Sequence, residues 1–114
     1  MIGRGLLAEQ HAARYLQQQG LQLLAQNYRC RAGEIDLVMQ DGDTLVFVEV
    51  RLRSNPAFGG AAASIDNRKQ QRIIRTAQHY LGTLPRAPRC RFDAVLMEDP
   101  QDARLQWLKN AFEA

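Results

Sequence analysis

Two apolar strand patterns joined by a tight turn, each interrupted by an acid, constrain this chain more than any other feature. The first is Gly33-Glu34-Ile35-Asp36-Leu37-Val38-Met39 and the second is Leu45-Val46-Phe47-Val48-Glu49-Val50-Arg51, with Asp41-Gly42-Asp43 between them. The pattern predicts a β-hairpin with strands over 34–40 and 44–52. A carboxylate in the middle of a half-buried strand is costly unless something compensates it. The turn decides where the acids meet. A turn between residues 42 and 43 pairs positions whose numbers sum to 85, setting Asp36 opposite Glu49 and Glu34 opposite Arg51. A loop of Asp41 and Gly42 makes the sum 83 and leaves Asp36 and Glu49 as diagonal neighbours on one face. A three-residue loop puts them on opposite faces unless a bulge restores the phase. In the first two registers a pair of carboxylates converges, with a cation two residues beyond the second. That arrangement can hold a divalent metal against a phosphodiester.

The rest of the chain supplies layers for such a hairpin. Residues 5–19 read as a helix with Ala8, Ala12, Tyr15 and Leu16 at helical spacing, ended by Gly20. Glu9 lies on the flank of that apolar stripe, where it either answers the helix N-terminus or faces a site. Residues 21–28 read as a strand and 27–33 as a polar connector. Residues 54–64 are loop, rich in Gly, Pro and Ser. Residues 66–81 form the clearest helix, with Ile73, Ile74, Ala77, Tyr80 and Leu81 inward and Arg68, Arg72, Arg75 and His79 outward. Lys69 departs from this division, projecting within about 40° of Ile73 at 100° per residue. It either snorkels to water or reaches the carboxylates. Residues 90–97 are a strand, Asp99-Pro100-Gln101-Asp102 a turn, and 105–108 a short final strand. Helix, three strands, helix, two strands is the order of an α/β or α+β sandwich on a mixed sheet, and 114 residues make it one domain.

Charge narrows the partners. The chain carries thirteen Arg against two Lys within a formal net charge of +3. Arg makes bidentate phosphate contacts and stacks on bases, which suits nucleic acid; it also accumulates on ordinary solvated faces. No apolar run is long enough to span a bilayer, and residues 1–16 lack the apolar core of a signal peptide, so the expected location is cytoplasmic, away from membranes. Cys30 and Cys90 match no zinc spacing with His11 and His79, and are expected as free thiols.

Phosphodiester hydrolysis needs a metal held by hard oxygen ligands, an activated water and positive charge near the phosphate. Asp36 and Glu49 can supply ligands, with the Val50 carbonyl as a third and Glu9 reaching in from the first helix, directly or through water. Mg²⁺ or Mn²⁺ is the expected ion. Arg51 can meet the phosphate but cannot act as a base. Lys69 can complete the set. The competing reading is an ion-pair network, with Glu34 or Asp36 on Arg51 or Arg53 and Glu49 on Lys69.

These residues resemble the bacterial YraN-like family, which has the restriction-endonuclease-like fold of PD-(D/E)xK nucleases. The likeness runs nearly end to end: Gly5, Glu9, Ala12, Tyr15, Leu16, Gly20, Asn27 and Tyr28; Gly33-Glu34-Ile35-Asp36-Leu37; Phe47-Val48-Glu49-Val50-Arg51 and Arg53; Phe58-Gly59; Ile65-Asp66 and Arg68-Lys69-Gln70; Ala77, Tyr80 and Leu81; and Arg91-Phe92-Asp93. The resemblance implies a central mixed five-stranded sheet flanked by helices. It implies Asp36 and Glu49 as the motif's two acids, Glu9 as a first-helix acid like that of the resolvases, and a nuclease acting in DNA processing or repair, as a homodimer if it follows the resolvases. On this reading Asp36, Glu49, Arg51 and Lys69 are catalytic, Asp36, Glu49 and Glu9 hold the metal, and Arg53, Arg68, Arg72 and Arg75 bind DNA or RNA. One departure matters. The motif's Lys is Arg51 here, and the exchange is not conservative in an active site. Three outcomes stay open: an enzyme using Arg51, an enzyme using Lys69, or a nucleic-acid-binding module that no longer cuts. A structural adaptor is the remaining alternative.

Overall fold

A computed structural model describes residues 3–52, 65–100 and 104–114. The elements in order are α1 (Arg4–Gln18), β1 (Gln22–Cys30), β2 (Gly33–Asp41), β3 (Thr44–Leu52), α2 (Asn67–Leu81), β4 (Arg89–Met97) and β5 (Gln106–Phe112). The strands form one sheet in the order β1-β2-β3-β4-β5. β1 to β3 meander antiparallel, β4 lies parallel to β3, and β5 returns antiparallel to β4. The parallel step needs a long crossover, and α2 lies in that connection.

Both faces of the sheet are covered, so β3 is buried along five consecutive residues and not merely on alternate ones. Val46 and Val48 pack with Ala8, Ala12, Ala13 and Leu16 of α1. Leu45 and Phe47 pack with Ile73, Ile74 and Ala77 of α2. α2 starts where the Asp66 side chain accepts the backbone N–H of Lys69 at 2.8 Å, a side-chain cap that satisfies one orphan donor of the first turn.

The hairpin takes the first of the three registers. Its ladder runs from Asp41↔Thr44 to Leu37↔Val48, every pair summing to 85. Gly42, at φ 62°, occupies the first loop position, as a II′ turn requires. The ladder stops at Leu37↔Val48, one step before the acids. β2 continues with β1 to Cys30↔Gly33, while β3 continues with β4 to Leu52↔Met97. The sheet therefore opens between β2 and β3 at Asp36 and Glu49. In the gap the Asp36 carboxylate accepts the Val50 N–H at 2.8 Å, standing in for a strand carbonyl.

Two elements differ from the sequence expectation. β1 runs on to Cys30, where a polar connector was expected over 27–33. It is an edge strand, so Gln26 and Arg29 face water without cost, and Asn27 enters the left-handed region at φ 50°. β5 runs to Phe112 and not to 108. A bulge at Asn110, φ 54°, breaks the alternation that marks a strand, after which Phe112 returns to stack on Phe92 at 4.9 Å. That bulge is pinned by Asp93, whose side chain is fully buried. Asp93 accepts Arg91 Nε at 3.0 Å, Trp107 Nε1 at 3.0 Å and the Asn110 N–H at 3.1 Å. Arg91 also donates to Asp41 at 2.9 Å. The expected loop over 54–64 and Arg53 lie outside the described residues, as does part of the turn expected over 99–102.

Candidate metal centre

The opening of the sheet gathers side chains from both layers. Asp36 sits in the gap. From α1, the flank position of Glu9 carries its carboxylate to the same place, and from the start of β2 comes Glu34. Oxygens of Glu9, Glu34 and Asp36 lie within 4.8 Å of one another. Glu49 lines the same cleft from β3, facing α2. Its Oε1 lies 3.2 Å from Lys69 Nζ and 4.0 Å from an Arg51 guanidinium nitrogen. The cleft is open, about 530 Å³ in volume, and is lined by Arg29, Cys30, Glu34, Asp36, Glu49, Lys69, Arg72 and Ile73 together with Gly33. Gly33 is needed there. At φ 156° any other residue is strained, and a Cβ would lie 3.2 Å from Thr76 Oγ1 and 3.7 Å from Arg72 Cβ, so a side chain here would also have to move Thr76 by a few tenths of an ångström.

The acids are short of positive charge. Burial raises the Glu49 carboxyl from its ordinary 4.5 to about 7, the Asp36 charge adding to this while Lys69 and Arg51 oppose it. Burial and then Asp36 raise Glu9 to about 7 as well, against a hydrogen bond from Asn27. Asp36 is also raised by burial, though the Val50 N–H and Lys69 pull the other way. Glu9 Oε1 is shielded from solvent and has no hydrogen-bond partner. A divalent cation answers both conditions, because hard carboxylate oxygens are its preferred donors and its charge would let all the acids ionise together. The residues fit the ion.

This has a measurable consequence. Glu49 is 5% exposed, and its folded pKa lies above its ordinary value. The folded state thus keeps a proton that the unfolded chain releases. The resulting stability is full below about pH 4.5 and is lost as pH rises through about 7, a change on the order of 3 kcal/mol from Glu49. The metal-free protein should melt roughly 10 °C lower at pH 8 than at pH 5. Millimolar Mn²⁺ should restore much of that loss at pH 8 and little at pH 5. Thermal melts across this range test it, and a flat profile would refute it.

Of the residues singled out from sequence, Asp36, Glu49 and Lys69 line this cleft, and Glu9 meets Asp36 and Glu34 in a cluster of acids that does not include Glu49. Arg51 lies beside Glu49 but does not line the cleft. Arg68, Arg72 and Arg75 are exposed on α2, and Arg72 reaches the cleft wall. The expected pairing of Glu34 with Arg51 is not formed. Glu34 binds Arg29 Nε at 2.6 Å instead, because Arg29 is its partner across β1 and β2. Glu34 and Arg29 are thus the site residues that sequence reasoning missed. Their signal was the hairpin of β1 and β2, hidden by ending β1 at Tyr28.

A mixed five-stranded sheet between two helices, opened at a pair of strand acids, is the restriction-endonuclease-like fold. The chain belongs to the uncharacterised protein family UPF0102, whose model matches residues 8–97. It is 57% identical to a UPF0102 protein of Nitrosomonas europaea, over 96% of this chain and 93% of that one. It is 58% identical to a UPF0102 protein of Cupriavidus metallidurans over 96% and 81%, and 56% identical to one of Psychromonas ingrahamii over 96% and 89%.

Proposed function

We propose that this protein is a metal-dependent nuclease-like enzyme that hydrolyses phosphodiester bonds in DNA or RNA, in the cytoplasm. The observation that carries the proposal is the convergence of Glu9, Glu34 and Asp36, with Glu49 in the same cleft, at the opening of the sheet. Glu9, Asp36 and Glu49 would hold Mg²⁺ or Mn²⁺, with Glu34 within reach. The ion supplies Lewis acidity toward the phosphate and an activated water. The residues do the remainder. The Val50 N–H fixes the Asp36 carboxylate in one orientation. The open cleft would have to admit the polymer backbone for its phosphate to reach these acids.

The α2 segment 67–81 contains no Asp or Glu and presents Arg68, Arg72 and Arg75 to solvent. This face would hold neighbouring phosphates, giving an affinity that falls steeply with salt. No described helix is long and apolar enough to cross a membrane.

The test is cleavage of branched, duplex and single-stranded DNA and of RNA with Mg²⁺ or Mn²⁺. Cutting by the wild type that needs the ion supports the proposal. No cutting of any substrate, with Mn²⁺ affinity unchanged by Asp36→Ala, would overturn it. A second reading, a binding module without hydrolysis, is favoured by Arg51 in place of the motif Lys. It predicts salt-sensitive binding with every substrate left intact.

A further inference from the structure

We propose that Lys69, and not Arg51, supplies the positive charge at the reacting phosphate. The inference rests on the nuclease reading and deepens it. The motif places this cation on the strand, two residues after the second acid, where the chain has Arg51. The structure brings a second cation to the same acid from the opposite layer. Lys69 Nζ lies 3.2 Å from Glu49 Oε1, against 4.0 Å for Arg51. Lys69 lines the cleft with Asp36 and Glu49, and Arg51 does not.

The helix holds Lys69 firmly. Its own N–H is bonded to the Asp66 side chain at 2.8 Å, the neighbouring Gln70 side chain donates to the Ile65 carbonyl at 2.8 Å, and Ile65 is buried in the core. One turn further on, Ile73 packs under the sheet. The backbone of the first turn of α2 is therefore fixed at both ends of this residue, which places the base of the Lys69 side chain within reach of Glu49. Its chemistry also fits. An ammonium is a compact charge with three rotatable donors on a flexible stem, and can follow a phosphate through a change of geometry. The planar guanidinium of Arg51 is fixed to one plane and takes more room beside the metal ligands.

The test compares Lys69→Ala, Lys69→Met and Arg51→Ala in the full chain. Mn²⁺ affinity is measured by electron paramagnetic resonance, and single-turnover cleavage is measured on whichever substrate the wild type cuts. The Lys69 variants should cleave about 10²- to 10³-fold more slowly, as expected for loss of one preorganised electrostatic group. They should bind Mn²⁺ as well as the wild type or better, since a competing cation is gone. Arg51→Ala should lose several-fold at most. Lys69 is 35% exposed, so both substitutions leave the core intact. Cleavage by the Lys69 variants within fivefold of wild type would overturn the inference. So would a larger loss in Arg51→Ala, or a fall in Mn²⁺ affinity parallel to the fall in rate, which would make Lys69 a support for Glu49 alone. A wild type that cuts nothing overturns this inference, and the nuclease reading falls with it where Mn²⁺ affinity is also unchanged by Asp36→Ala.

Discussion

Replacing Glu49 by Gln should slow cleavage by at least about 10³-fold while making the metal-free protein more stable. The two effects have one cause. Glu49 is a carboxyl placed where burial and the nearby Asp36 both oppose its charge, raising it to about 7. At pH 8 the folded protein must ionise it, at a cost on the order of 3 kcal/mol. Glutamine keeps the shape and removes the charge, so the melting temperature at pH 8 should rise, and the pH dependence between 5 and 8 should flatten. Under the proposed function the same change would also remove an anionic ligand of the metal. A bound divalent ion contributes several kcal/mol to the transition state, and about 4 kcal/mol corresponds to ~10³ in rate. A site that stores unfavourable charge until a metal arrives would give up stability for function. Melting curves and single-turnover rates on the same preparation check both halves. A variant that cuts within tenfold of wild type, or melts lower at pH 8, would contradict the argument.

Asp93→Ala should destabilise the fold by about 3–5 kcal/mol, the range for removing one partner of a buried ion pair. Asp93 has no solvent exposure, and its two oxygens serve Arg91, Trp107 and the Asn110 N–H. Truncation leaves a guanidinium that is only 15% exposed with Asp41 alone, and strips two further donors of their acceptor. It also frees the left-handed Asn110 bulge that lets Phe112 rejoin the core. Urea unfolding measures the loss. At temperatures where the variant is folded, Mn²⁺ affinity should be retained, because Asp93 is not among the cleft residues. A cost below about 1 kcal/mol would mean that the network is dispensable.

Much of this was legible in the residues. The apolar run of Leu45 to Val50 and the Asp41-Gly42-Asp43 turn specify a hairpin, and a one-residue slip would carry Asp36 and Glu49 to opposite faces of the sheet. α2 declares itself through Ile73, Ile74 and Ala77 with an arginine face opposite. Polar edge segments were harder to read. β1 beyond Tyr28 and β5 beyond Leu108 lie at the two edges of the sheet, where half of each residue faces water and the pattern fades. The partner of Glu34, which the sequence left between Arg51 and Arg53, was missed for that reason: Arg29 stands in a segment that reads as connector.

The sequence by itself determined the hairpin with its two acids, the two helical layers and the amino acids available for chemistry, and it narrowed the register to three, from which the structure takes the one that sets Asp36 against Glu49. These follow from local rules of period and turn, which act within a few residues. Only the tertiary structure decided that the β2–β3 ladder ends at those acids, so that Glu9 from one layer reaches Asp36 and Lys69 from the other reaches Glu49. That choice depends on β2 staying with β1 while β3 stays with β4, a competition between pairings made across long stretches of chain and recorded in no short window.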